Sequence, residues 1–139
     1  MNYKYWLPAI LWMAVIFVFS TDLFSAEHTG SILEFVLRKI RPDISEDSLD
    51  ILHFCVRKGA HIFSYALLSL FYTFGFTNSY QPRTRWDWKI ALAAVGLCFL
   101  YAATDEWHQS FSIHRTASAV DVMYDAAGAA FSQLVLSRK

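Results

Sequence analysis

Four long stretches of the chain consist mostly of apolar residues, and shorter polar or charged segments separate them. An α-helix needs roughly 17–25 predominantly apolar residues to cross a hydrocarbon core about 30 Å thick. We therefore predict membrane-spanning helices at residues 5–21, 59–76, 88–104 and 117–136. Together they predict an all-α integral membrane bundle of about four transmembrane helices, organised as one domain over residues 1–139.

The segment between the first two spans has a helical pattern of its own. Residues 31–40 place apolar side chains on one helical face and charged side chains opposite, as an interfacial helix does. Ser45 followed by Glu46 and Asp47 predicts an N-cap with an acidic first turn, beginning a helix that runs into the second span. We interpret the segment as an extracytoplasmic amphipathic cap. The alternative is a loop that packs on the bundle and binds nothing.

Composition narrows the class of protein further. The 139 residues are 55% hydrophobic and 17% charged, which is more apolar than an average soluble domain. Twelve basic and twelve acidic residues give a formal charge of zero, so the strong positive field of a nucleic-acid binder is not expected. Cys55 and Cys98 are far apart in sequence, and we assign them neither a disulfide nor a metal.

Basic residues predict the orientation in the membrane. They occur near both ends of the chain and in the link between the second and third spans, at Lys4, Arg83, Arg85, Lys89, Arg138 and Lys139. By the positive-inside rule, both termini should be cytoplasmic and the long link should be outside. The five basic residues of that link argue the other way: Arg38, Lys39, Arg41, Arg57 and Lys58.

Ionisable residues concentrate at the ends of three spans. The second span begins with Arg57, Lys58 and His61. The third ends with Asp105, Glu106 and His108, followed by the neutral amide of Gln109. The fourth begins with Arg115, Asp121 and Asp125. With both termini inside, these three groups lie at the same outer face. A charged residue near the centre of a membrane helix costs roughly 2.5–3.5 kcal/mol on insertion scales, so it needs a partner or a function.

Helical spacing indicates which of these side chains share a face. Arg57, His61 and Tyr65 recur every four residues and should point inward. The last span carries a polar and small stripe that includes Asp121 and Asp125, continuing through Gly128 and Ser132. Asp125 lies about 12 Å into its span at 1.5 Å per residue, so its carboxylate must be protonated, paired or hydrated.

The same residues resemble the pattern of the VanZ-like family of small membrane proteins. That pattern is Arg/Lys-Lys-x-x-His at the head of one span, then Asp-Glu-x-x-Gln, then Arg and Asp before a glycine-containing last span. Its counterparts here are Arg57-Lys58-Gly59-Ala60-His61 with Tyr65, Asp105-Glu106-Trp107-His108-Gln109, Arg115, Asp121 and Asp125-Ala126-Ala127-Gly128. Ser20 and Thr21 are similar to the family's Phe-Ser-Ser element, and Asp125 stands where many relatives carry Asn.

The resemblance implies a location and a phenotype. It implies a bacterial cytoplasmic membrane protein linked to resistance against the glycopeptide teicoplanin, which acts at the cell wall. An outward-facing site fits that link. The partners it implies are membrane lipids and an anionic lipid-linked or glycopeptide ligand.

The residues leave an enzyme and a binding protein open. In an enzyme, Arg57, Lys58 and Arg115 would hold a phosphate or carboxylate, and the tentative acid–base groups are Asp105, Glu106 and His61. The binding set is completed by Gln109, Asp121, Asp125 and Tyr65. A non-catalytic protein would use the same cations to bind a lipid headgroup or glycopeptide.

Three further interpretations remain possible for the charged residues. Asp121 and Asp125, one turn apart, could carry protons or ions, although a closed network is favoured. An oxygen-rich metal site would match no dedicated spacing, so we predict no metal and no cofactor. Ion pairs could instead serve only to lock the helices together.

Overall fold

The computed structural model describes residues 3–21, 26–80, 86–111 and 118–138. After a short 3-10 turn at Tyr3–Tyr5, these ranges form α1 (Leu7–Phe19), α2 (Ala26–Ile40), α3 (Glu46–Tyr80), α4 (Trp88–Gln109) and α5 (Ala119–Leu136). No strand occurs within the described ranges. The predicted all-α class is confirmed.

Two of the helices are long and apolar enough to cross a membrane. They are α3, with 35 residues, and α4, with 22, and they contain the predicted spans 59–76 and 88–104. The first helix is apolar but shorter, with 13 residues. Large apolar side chains face outward, including Phe63 at 64%, Leu92 at 65% and Phe131 at 63% exposed. Such a surface suits a lipid environment better than water.

Side chains cap three of the helices where they begin. Ser45 Oγ accepts a hydrogen bond from the Ser48 amide at 3.4 Å, and α3 then continues unbroken into the second predicted span. Asp87 accepts from Lys89 N at the start of α4, and Ser118 accepts from Val120 N at the start of α5. The predicted N-cap at Ser45 and the continuous helix after it are therefore confirmed.

Contacts between α1 and α3 show that these two helices are antiparallel. Trp6 Nε1 donates to Ser79 Oγ at 3.0 Å, near the end of α3. Trp12 Nε1 donates to the Ser64 carbonyl at 2.9 Å, near its middle. As the chain advances along α1, its partners recede along α3.

The other helix pairs complete an alternating bundle. Tyr101 donates to the Met13 carbonyl at 2.7 Å, which fits α1 and α4 running in the same direction. Asp125 of α5 contacts His61 of α3, and further along both helices Gln133 donates to Ser69 Oγ at 2.7 Å, so α5 runs parallel to α3. The ends of α1 and α4, the start of α5 and the part of α3 that follows Arg57 therefore meet at one end of the bundle.

A close approach of backbones fixes α3 against α5. A Cβ atom added to Gly128 would lie 2.2 Å from the Ile62 carbonyl oxygen, so only glycine fits there. Helices in membranes come this close where small residues line the interface. The predicted polar and small stripe of α5 is buried along this contact: Asp121, Asp125, Gly128 and Ser132.

The second helix packs beside the first turns of α3. The backbone at Gly30 lies against the His53 ring, and Arg38 donates hydrogen bonds to Glu34 and Glu46. The predicted helical stretch 31–40 lies within α2, so its helical character is confirmed. Several of its apolar side chains are exposed: Ile32, Phe35, Val36 and Ile40.

Candidate functional site

Polar side chains from four helices meet at the end of the bundle where α1 and α4 finish and α5 begins. Within the described ranges this polar cluster comprises Ser20, Lys58, His61, Tyr65, Asp105, Glu106, Gln109, Asp121 and Asp125. Side chains from all three predicted ionisable groups therefore lie together at this end of the bundle.

Two contacts join α3 to α5 within the cluster. His61 Nδ1 lies 3.1 Å from Asp125 Oδ1, and Lys58 Nζ forms an ion pair with Asp121. Asp125 is fully buried, and its contact with His61 means that the carboxylate is paired, which is one of the three states expected for it. Its second oxygen, Oδ2, has no hydrogen-bond partner among the described residues.

Ser20 closes the cluster from α1. Its hydroxyl donates to Asp105 Oδ2 at 2.6 Å and accepts from Gln109 Nε2 at 2.8 Å. Gln109 also donates to Asp105 Oδ2 at 3.1 Å. The predicted site residues do not include Ser20. The resemblance of Ser20 and Thr21 to the Phe-Ser-Ser element at the end of the first span is the signal that could have identified it.

Glu106 ties the end of α4 to the start of α5. Its Oε2 accepts a hydrogen bond from the Ser118 amide at 2.7 Å, while the buried Oε1 has no partner in the described part of the chain. Glu106 directly follows Asp105 and therefore lies on a neighbouring helical face. Both side chains are buried: Asp105 contacts Ser20 at the end of α1, and Glu106 contacts the Ser118 amide at the start of α5.

Tyr65 lies deeper in the bundle and is 1% exposed. Its hydroxyl is close enough to Asp105 and Asp125 to interact electrostatically with both, yet it forms no hydrogen bond with any described residue. Its ring lies beside that of Tyr101, with centroids 6.3 Å apart. The hydrogen-bonding capacity of this buried hydroxyl is therefore unused by the described residues.

Neither of the two arginines of the predicted site, Arg57 and Arg115, makes a described contact with the polar cluster. Arg57 is half-buried and makes no ion pair or hydrogen bond with the described residues, so the prediction that it shares the inward face with His61 is only partly met. At about 100° per helical residue, Lys58 and Ile62 lie on one flank of His61 and Arg57 on the other. Since α5 packs on the first flank, Lys58 makes the ion pair. Arg115 lies outside the described residues.

Three buried oxygen atoms of the described cluster have no hydrogen-bond partner among the described residues: Tyr65 Oη, Glu106 Oε1 and Asp125 Oδ2. Lys58 Nζ, His61 Nδ1 and Gln109 Nε2 each contact an oxygen within the cluster. In the described ranges, no three His, Cys, Asp or Glu side chains are arranged to hold a metal ion. The arrangement suits the binding of a hydrogen-bond donor.

Comparison with known proteins gives one family. The sequence model of the VanZ/LLP1 family matches residues 5–137. Searches of curated proteins and of solved structures found no match. Since the matched region spans nearly the whole chain and contains every residue of the polar cluster, the chain belongs to the VanZ/LLP1 family.

Proposed function

We propose that this protein crosses the bacterial cytoplasmic membrane as a bundle of α1, α3, α4 and α5. The 35 residues of α3 rise about 52 Å, more than the roughly 30 Å of the hydrocarbon core, so α3 crosses the membrane and extends beyond it. The 18 residues of α5 fall within the usual range for a span. In this arrangement α2 and the first turns of α3 form an amphipathic cap over the polar cluster.

The polar cluster faces outward in this proposal. Lys4, Lys89 and Arg138 lie at the opposite end of the bundle. In the sequence, Arg83 and Arg85 come between α3 and α4, outside the described residues. The positive-inside rule then puts both termini in the cytoplasm.

The proposed function is to bind an anionic, lipid-linked ligand of the cell envelope, in a role connected with glycopeptide (teicoplanin) resistance. One observation carries it: four helices bring ionisable side chains to a single membrane-embedded end, where each charge is costly unless used. Arg57 lies half-buried at the rim, and guanidinium groups match phosphate and carboxylate oxygens. Arg115 would add a second guanidinium.

The same site could act as an enzyme. Asp105, Glu106 and His61 would then serve as acid or base toward the bound ligand. A non-catalytic binder is favoured by the internal bonds that already occupy His61 and Asp105. For an enzyme, Asp105→Asn should abolish the phenotype while ligand affinity remains. For a binder, Arg57→Ala should lose affinity and phenotype together.

One experiment distinguishes a structural role of the polar cluster from a functional role. Glu106→Gln, Asp121→Asn and Arg115→Gln are compared for folded yield and thermal melting in detergent, and for teicoplanin susceptibility in a host that needs the protein. We expect variants that fold but lose resistance, because glutamine at position 106 keeps the volume and an acceptor for the Ser118 amide. The matched control is Glu34→Gln, which removes a surface carboxylate on α2. Loss of folding in all three variants, with a normal control, would make the cluster structural.

A further inference from the structure

The deepest part of the polar cluster offers oxygen atoms without partners. Tyr65 is 1% exposed and Asp125 is 0% exposed, and neither the tyrosine hydroxyl nor Asp125 Oδ2 has a partner among the described residues. A buried polar atom left unpaired costs about 1–3 kcal/mol. Together, the unpaired Tyr65 hydroxyl and the unpaired Asp125 Oδ2 indicate a place for a bound group.

The neighbouring side chains define what that group must supply. His61 Nδ1 is engaged with Asp125, Gln109 Nε2 with Ser20 and Asp105, and Lys58 with Asp121. An incoming anion would meet Asp125 Oδ2 at this depth, and like charges this close repel each other. A group that brings its own N–H donors and a positive charge would instead satisfy the tyrosine and carboxylate oxygens.

We propose that the ligand carries a primary ammonium group beside its phosphate, as in an ethanolamine headgroup of a membrane lipid. This inference rests on the proposed function, in which Arg57 contacts the phosphate at the rim. Arg57 and His61 are one helical turn apart, about 6 Å along the axis. Because His61 holds Asp125, a phosphate at Arg57 and an ammonium at Asp125 are separated by a distance that a two-carbon linker can span.

Lipid titration of the full-length protein tests the inference. The protein is placed in nanodiscs of phosphatidylcholine, whose ammonium has no N–H donor. One of three lipids is then added: phosphatidylethanolamine, N-acetylated phosphatidylethanolamine or phosphatidylglycerol. Native mass spectrometry measures the binding of each. We expect phosphatidylethanolamine to bind at least about tenfold more tightly than the other two, as loss of hydrogen bonds to a charged group predicts. Soluble phosphoethanolamine should compete much more weakly, because it lacks acyl chains.

Two conservative variants separate binding from stability. Tyr65→Phe removes a hydroxyl that has no described partner, so it should abolish the preference for phosphatidylethanolamine without lowering the melting temperature. Asp125→Asn removes the charge, keeps a hydrogen bond to His61, and should have the same effect on binding. The controls are Tyr72→Phe, whose hydroxyl contacts Met13, and Asp50→Asn, which changes an exposed carboxylate.

The outcomes distinguish this inference from the proposed function. Equal binding of all three added lipids, lost in Arg57→Gln, would overturn the ammonium site and leave the anion site standing. Absence of binding by any of them would overturn the proposed lipid ligand itself. Equal competition by soluble phosphoethanolamine would assign the site to a free phosphate ester and overturn the lipid source.

Discussion

Ser20 ends α1 and also joins it to α4. Its hydroxyl both donates to and accepts from side chains of α4, at 2.6 Å to Asp105 and 2.8 Å from Gln109. Without the serine, the buried Gln109 amide and the Asp105 carboxylate would each lose one hydrogen bond. One small hydroxyl therefore holds the end of the first helix in the site.

We expect Ser20→Ala to destabilise the folded protein by about 1–3 kcal/mol, because it removes hydrogen bonds from buried polar groups. Thermal melting in detergent measures the change. The control is Ser110→Ala, whose exposed hydroxyl bonds only to the Trp107 carbonyl in the described structure. Equal melting temperatures for the two variants would show that the Ser20 contacts contribute nothing to stability.

The sequence indicated which residues belong to the polar cluster better than it indicated which of them contact each other. The need for Asp125 to be protonated, paired or hydrated followed from its depth in the span, and it is paired. That His61 would be the partner did not follow, because helical spacing relates residues on one helix and says nothing about the rotation of its neighbour. For the same reason, helical spacing could not show on which flank of His61 α5 would pack, and therefore that Lys58 rather than Arg57 would make the ion pair.

At the scale of elements, the contact between α3 and α5 positions most of the cluster. Gly128 touches the Ile62 backbone, and one turn away His61 meets Asp125. The pair would separate if the two helices moved apart by the width of a methyl group. A small residue at position 128 is therefore a requirement of the site.

Gly128→Ala should destabilise the protein by about 1–3 kcal/mol through overpacking, since the new Cβ overlaps a carbonyl oxygen. Gly96→Ala is the matched control because nothing lies within 4 Å of its added Cβ. Alanine favours a helix over glycine by about 1 kcal/mol, so the control should be neutral or slightly more stable. Urea or thermal unfolding in detergent compares them, and similar stabilities would contradict the close approach.

At the scale of the whole molecule, two cysteines report the proposed orientation. Cys55 is exposed on α3 near the polar cluster, whereas Cys98 is buried in the bundle core. If the cluster faces outward, only Cys55 is accessible from outside the cell. The thiol therefore tests the topology without any change to the chain.

A membrane-impermeant maleimide should label Cys55 in intact cells and leave Cys98 unlabelled until the protein is unfolded. Cys55→Ser should abolish the labelling. In that background, Ser137→Cys, at the opposite end of the bundle, should react only after the cells are permeabilised. The reverse pattern would place the polar cluster in the cytoplasm.

The sequence by itself determined the helical class, the apolar stretches, the start of α3 at Ser45 and the end of the bundle where the ionisable groups meet. These features depend on local properties: side-chain hydropathy, capping and the helical repeat. The tertiary structure decided that Lys58 pairs with Asp121, that His61 pairs with Asp125 and that Ser20 joins the cluster. It also left the Tyr65 hydroxyl without a partner among the described residues. Those outcomes depend on how far each helix is rotated and how closely α3 approaches α5, and only packing between distant parts of the chain fixes both.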